Sequence, residues 1–363
     1  MFSLREIKGM KENGITLVAL VITIVILLIL AGISISTLSN TGIFKKAKDA
    51  KQKYEEAEND QNKILDEYET ELNQYNENTL VYKVNNGIVK IGDYVAYSPD
   101  DASTEEILNE LKAYSGSSDN TNLTLTQEKN LNWRVLDVKD GHVRLISEKP
   151  TTSEIKLYSY DGYNNAVKLL DDTCSSLYSN SKLSKKVQNL KIEDILKYMS
   201  KQPEMDSTVY NYSNIRYPKI LEQEENQMVA NSVLPKMGLS TKDSWVTGKD
   251  TTTSSTLKNT FWLYAISGKG DFKEDIYYEL FINNFLAYWL SSRCVNTFSW
   301  AVSFDVRVVD YTNISSWGMY ASDVDKTKGS CCFRPVITLN SGVQLDATKV
   351  ADGSDADHAY AIK

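Results

Sequence analysis

Between Ile15 and Ile35 the chain carries no charged residue, a run of 21 positions. Coiled as a helix at ~1.5 Å per residue, such a stretch is about 31 Å long, which matches the hydrocarbon core of a bilayer. A cleaved secretory signal has a shorter apolar region, roughly 7–15 residues, ahead of a small-residue cleavage site. Simple secretion is therefore excluded, and a plain anchor or a processed one remains. Charge does not fix the orientation, because Lys45, Lys46 and Lys48 follow the stretch as closely as Arg5, Lys8 and Lys11 precede it.

The residues before the stretch are more specific. The leader "MFSLREIKGMKENG" sets Arg5, Lys8 and Lys11 against Glu6 and Glu12 and ends at Gly14; Ile15-Thr16-Leu17-Val18 then opens the apolar run. This arrangement resembles the signal of type IV prepilins. The resemblance implies that a prepilin peptidase cuts between Gly14 and Ile15 and methylates the new amino terminus. It also implies that the apolar segment stays on the mature protein and that the carboxyl-terminal bulk lies outside the cell. Pilins carry glutamate at the fifth mature position; here that position is Ala19, a loss seen among pilin-like and minor subunits. Membrane lipid and other pilin-like subunits are the partners this likeness implies.

After Gly42, thirty-odd residues run without glycine or proline, and Ile43, Ala47, Ala50, Tyr54, Ala57, Gln61, Ile64 and Tyr68 alternate spacings of four and three. That is a seam on one helical face, suited to a coiled-coil stalk or to packing on a globular head, and its alanines and tyrosines favour the head. The expectation is one nearly continuous helix over 15–77, transmembrane first and amphipathic after, between a leader at 1–14 and a head at 78–363.

From Leu80 the apolar period changes to two. "VYKVNNGIVKIGDYVAYSP" reads as a hairpin turning at Asn86-Gly87, and "NWRVLDVKDGHVRLISEKP" as a second turning at Asp140-Gly141. A polar linker separates them, from about Ser115 to Asn132. The middle, about Tyr160 to Met237, reads as helical through "YNNAVKLLDDTCSSLY" and "IEDILKYM"; strands resume at "TFWLYAIS", "AYWLSSRC", "SWAVSFDVRVVD" and "CCFRPVITL". The fold class expected is α+β: a long amino-terminal transmembrane, pilin-type helix followed by a β-rich head with helical insertions.

The net charge of -8 argues against a nucleic-acid partner. Twenty-two tyrosines against two histidines suit contact surfaces better than acid–base chemistry. "YWLSSRCVNTFSWAVSFDVRVVDYTNISSWGMYASDVDKTKGSCC" interleaves aromatics with serine and asparagine, the composition of adaptable recognition surfaces. Trp300, Tyr311, Trp317 and Tyr320 are the expected ligand-binding patch for an extracellular glycan or protein, with Trp289 and Phe304 assigned to the core. "NWRVLDV", "YWLSSR" and "FRPVITL" together resemble a domain of uncharacterised surface proteins of clostridia-like bacteria. The closing Arg334-Pro335-Val336 is also similar to the terminal strand of C-type-lectin-like folds. Arg334 itself reads as a frame arginine held at a sheet end.

Catalytic motifs are missing from the sequence. His142 and His358 lie in no recognisable nucleophile motif, and there is neither a phosphate loop nor an H-E-x-x-H. No catalytic residue, cofactor or metal is expected; the acidic clusters at 171–172, 323–325 and 352–357 match no EF-hand loop. Cys174, Cys294, Cys331 and Cys332 are too few for a disulfide scaffold; they read as buried or as disulfide cysteines, and outside the cell Cys294 could bridge Cys331 or Cys332 if their strands are neighbours. The functional expectation is a minor pilin or pseudopilin displaying a binding head. Its rivals are a surface enzyme acting on glycans, which would need a carboxylate pair, and a purely structural anchored protein.

Overall fold

Two six-stranded sheets, their strands interleaved along the chain, form the frame of the carboxyl-terminal part. The computed structural model describes residues 42–117, 119–120, 125–201, 209–212, 216–218, 245–247, 255–258, 264–282, 286–311, 313–321 and 328–363. The leader, Gly14, Ile15 and the uncharged stretch to Ile35 lie outside the described residues. The chain divides into two compact units, Met1–Asp66 and Glu67–Lys363.

Five strands come first: β1 (Tyr94–Ala96), β2 (Trp133–Lys139), β3 (His142–Ser147), β4 (Glu154–Tyr158) and β5 (Ser184–Asn189). The short strands β6 (Val209–Tyr212), β7 (Arg216–Pro218), β8 (Trp245–Thr247) and β9 (Ser255–Lys258) pair as β6 with β9 and β7 with β8. Next come β10 (Tyr264–Ala265), β11 (Tyr288–Thr297), β12 (Val302–Asp310) and β13 (Asn313–Ala321). The last three are β14 (Lys328–Cys332), β15 (Pro335–Leu339) and β16 (Tyr360–Ala361). The first sheet runs β16-β1-β2-β3-β15-β5, and the second β10-β13-β12-β11-β14-β4. The helices are α1 (Gly42–Asn73), α2 (Leu80–Asn85), α3 (Glu105–Tyr114), α4 (Ser159–Tyr178), α5 (Ile192–Leu196) and α6 (Asp275–Phe281).

Residue chemistry explains the main elements. Asp140 and Gly141 both take positive φ, 50° and 73°, so the β2–β3 hairpin closes on the turn its sequence predicts. Helix α4 buries Tyr163, Ala166, Leu170, Cys174 and Leu177, a stripe at three and four spacing. The two apolar clusters each draw on both sheets. One holds Val135, Leu145 and Ile337 with Trp289, Phe304 and Val306. The other joins Leu136, Ile146 and Val336 to Leu290, Val309 and Ile314. Gly329 lets two indoles approach its backbone: a Cβ there would stand 2.5 Å from Trp289 and 2.7 Å from Trp317.

The fold class differs from the expectation. The molecule is a mixed α/β domain with two sheets and, among the described residues, six α-helices, none long and apolar enough to cross a membrane. The described part of the long helix begins at Gly42, ends at Asn73 rather than near 77, and has a polar average composition. Tyr68, from the seam expected to pack on the head, is exposed together with Leu72 and Tyr75, whereas Thr70 is buried. The first expected hairpin is a helix instead: Thr79 caps α2 by accepting from the Tyr82 N–H, and Asn86-Gly87 ends it. The helical middle is interrupted by β5, and strands β4 and β13 stand outside the stretches that read as strands in the sequence.

Candidate functional site

The expected aromatic patch is not gathered into one place. Trp300 precedes β12 and is 72% exposed, whereas Tyr311 follows it and is 61% exposed. Extended chain rises ~3.3 Å per residue, so the two stand roughly 30 Å apart, at opposite ends of the strand. Trp317 turns to the core side and packs edge-on against buried Trp289 at 5.4 Å. The side chain of Tyr320 lies outside the described residues. Phe298 and Trp300 do stack, 5.4 Å apart and 17° from parallel, on the turn joining β11 to β12. Trp289 and Phe304 are core, as expected.

Of the two alternatives for the cysteines, the structure has the buried one: all four are buried free thiols, and the bridge between Cys294 and Cys331 is not formed. Burial pushes the Cys294 thiol up to about 12 and raises Cys331 as well, so neither is a ready nucleophile. Arg334 is a frame arginine at a sheet end, held by backbone carbonyls. Its guanidinium donates to Ser147 O at 3.0 Å, Glu148 O at 2.9 Å and Phe281 O at 3.3 Å, tying β3 and α6 to the start of β15. The second histidine, His358, pairs with Asp355 at 2.7 Å in an exposed loop.

Among the described residues, a cleft of about 430 Å³ lies at one end of the first sheet. It forms where an apolar face turns polar. Ile146, Val336 and Leu190 belong to the second apolar cluster. One pleat further along, the same face carries Arg144 opposite Thr338, and Thr338 opposite Lys186. Gln188 lines the cleft from β5, His142 from β3, and Lys191, Glu193 and Asp194 from the entry to α5.

The cleft floor is fastened by a buried ionic network. Arg144 forms a fork on Asp137, Nε and Nη2 each at 2.6 Å, and reaches Asp194 through Nη1 at 2.6 Å. Tyr198 donates its hydroxyl to Asp137 at 2.5 Å, and Lys197 approaches the same carboxylate at 3.2 Å. Burial alone would raise the Asp137 pKa. The Arg144 hydrogen bonds and charge, with Tyr198 and Lys197, outweigh burial and hold it below the ordinary value. Burial and the bond to Asp137 raise the Tyr198 phenol. Such a saturated network is framework; it sets the cleft geometry and leaves Arg144 committed.

Beside it, His142 Nδ1 donates to the Leu339 carbonyl at 2.9 Å. That leaves Nε2 as an acceptor facing Lys185 Nζ at 2.9 Å and Thr70 Oγ1 at 3.4 Å. Lys191 pairs with Asp171 at 3.3 Å. Gln188 is only 8% exposed, yet its amide oxygen is buried without a hydrogen-bond partner. The cleft thus offers ammonium donors at its rim and an unmet acceptor in its floor, chemistry suited to holding a ligand. None of its residues was singled out from sequence as a site. The usable signal was the polar alternation His142-x-Arg144 and Lys186-x-Gln188 on strands whose other face is apolar.

Comparison with known protein families, with curated proteins and with solved structures found no match.

Proposed function

We propose that the chain is a type IV pilin-like surface protein whose carboxyl-terminal domain binds an extracellular glycan or protein. In this reading a prepilin peptidase cuts between Gly14 and Ile15 and methylates Ile15, and the uncharged Ile15–Ile35 segment is retained to hold the protein at the membrane. Lipid and other pilin-like subunits are its partners, and Ala19 suits a minor pilin or pseudopilin. The observation that carries the reading is the basic leader ending at Gly14 directly before 21 uncharged residues. The ligand-sized cleft supports a binding role for the domain that follows.

Mass-spectrometric mapping of the native amino terminus, combined with protease shaving of intact cells, tests it. The expected result is a methylated Ile15 start and release of carboxyl-terminal peptides without lysis. A protein that still starts at Met1, or one protected until lysis, counts decisively against it.

A further inference from the structure

The turn joining β11 to β12 holds aromatic surface that the fold leaves open. The Phe298 N–H donates to the Ala301 carbonyl at 2.8 Å, and Thr297 stands opposite Val302, so Ser299 and Trp300 alone make the loop. Phe298 is 40% exposed and Trp300 72% exposed, and their rings stack 5.4 Å apart and 17° from parallel. A lone exposed apolar side chain is ordinary on a protein surface. Here one ring steadies another at the tip of a hairpin, and most of the indole surface stays open.

Polar groups border this pair. Side chains alternate along a strand, so Asn296 shares a sheet face with Phe298. Ser303 stands opposite Asn296 on β12 and belongs to the same face. Both are half-buried. The Ser303 hydroxyl donates to Asp305, which leaves its oxygen as an acceptor. The Asn296 amide makes no hydrogen bond among the described residues, and it can both donate and accept.

These features select among ligands. No charged residue stands between Asn296 and Phe304, so the tip itself holds no group to pair with an ion. A stable protein interface covers roughly 800 Å² on each side, well beyond what two partly exposed rings offer. A pyranose ring with equatorial hydroxyls fits better. Its flat C–H faces pack on the electron-rich face of an indole, and the hydroxyls at its edge reach amide and hydroxyl groups beside the ring.

We propose that the tip of the β11–β12 hairpin is a binding site for a neutral saccharide, with a sugar ring lying on Trp300 and edge hydroxyls bonded to Asn296 and Ser303. The proposal rests on the reading of the carboxyl-terminal domain as the binder of an extracellular ligand, and it names the ligand class. Because no charge takes part, affinity does not change with salt.

Cellotriose, a neutral chain of such rings, is the probe. Sorbitol, which has the hydroxyls without the ring faces, is the control. The full chain is labelled with 5-fluorotryptophan in a detergent that has no sugar headgroup, and Trp300→Phe identifies the Trp300 ¹⁹F resonance. That resonance should shift saturably with cellotriose while those of the other five tryptophans hold, and sorbitol should move none. Trp300→Ala should abolish binding in calorimetry with no fall in melting temperature, because the ring is exposed. Asn296→Leu should weaken binding about fivefold, the worth of one neutral hydrogen bond. A Trp300 resonance that ignores cellotriose or follows sorbitol equally, or binding that survives Trp300→Ala, overturns the proposal. So does an oligomer of the chain that Trp300→Ala disperses while the sugar has no effect, which would make the tip a protein contact. A chain that is processed at Ile15 and surface-exposed but indifferent to cellotriose loses this inference alone; a chain never displayed loses the functional reading as well.

Discussion

Asp137 is a carboxylate kept ionised in a place where burial works against it, and Arg144 is the reason. Its folded pKa lies below the ~3.9 of an unfolded aspartate. The network's contribution to stability is therefore complete above that pH and drains away as the pH falls through the lower folded value. Removing the arginine leaves Asp137 and Asp194 buried with their main partner gone, which costs about 3–5 kcal/mol. The expectation for Arg144→Met is a loss of that size in urea unfolding at pH 7. A second expected outcome is a flatter decline of stability between pH 5 and pH 2 than in the parent protein. Parallel acid limbs in the two proteins would show that the pair does not carry the linkage. Asp305 is the contrasting case: Ser303 and Ser316 hydroxyls and the charge of Arg307 fail to offset its burial, and its pKa is raised.

At the scale of elements, α2 shows how one local signal serves two structures. Asn-Gly is a strong hairpin turn signal, but the same pair also ends helices, because glycine takes the left-handed conformation that a C-terminal cap requires. Gly87 has φ 68°, and nothing lies within 4 Å of a Cβ placed there, so only backbone strain opposes a side chain. Upstream, the Thr79 hydroxyl donates to Asn73 O at 2.6 Å and accepts from Tyr82 N at 3.3 Å. Gly87→Ala and Thr79→Ala are each expected to lower stability by about 1 kcal/mol. Thermal melts of both single variants and the double variant check this, and a neutral Gly87→Ala would mean the turn conformation is not what the residue supplies. The β2–β3 hairpin and α4 were legible because period and turn chemistry agree there. α2 was not, because Leu80 and Val81 are chosen by a core that only the folded sheets create. The cleft is not legible in the sequence for a related reason: Arg144, Thr338 and Lys186 are far apart in sequence and meet only across strand pairings. The four aromatics failed as a patch because composition says which residues suit a surface and says nothing of which end of a strand each one occupies.

Over the whole carboxyl-terminal unit, the chain repeatedly exchanges sheets. It leaves the first sheet at β3, enters the second at β4, returns at β5 by way of α4, and crosses again from β14 to β15 through buried Phe333 and Arg334. Each apolar cluster takes side chains from both sheets, and Leu170 of α4 lies in the larger one with residues of both. Neither sheet can lose its packing without stripping the other, so residues 67–363 are expected to unfold in one step. Trp133 reports the first sheet and Trp289 the second, both buried. With 5-fluorotryptophan incorporated, the ¹⁹F resonances of these two indoles should disappear at the same urea concentration. Leu170→Ala should shift both midpoints together, at a cost of about 2–5 kcal/mol for the cavity it opens. Two separated midpoints, or a shift confined to one indole, would mean that the sheets are stabilised independently and that the strand exchanges are connections without energetic weight.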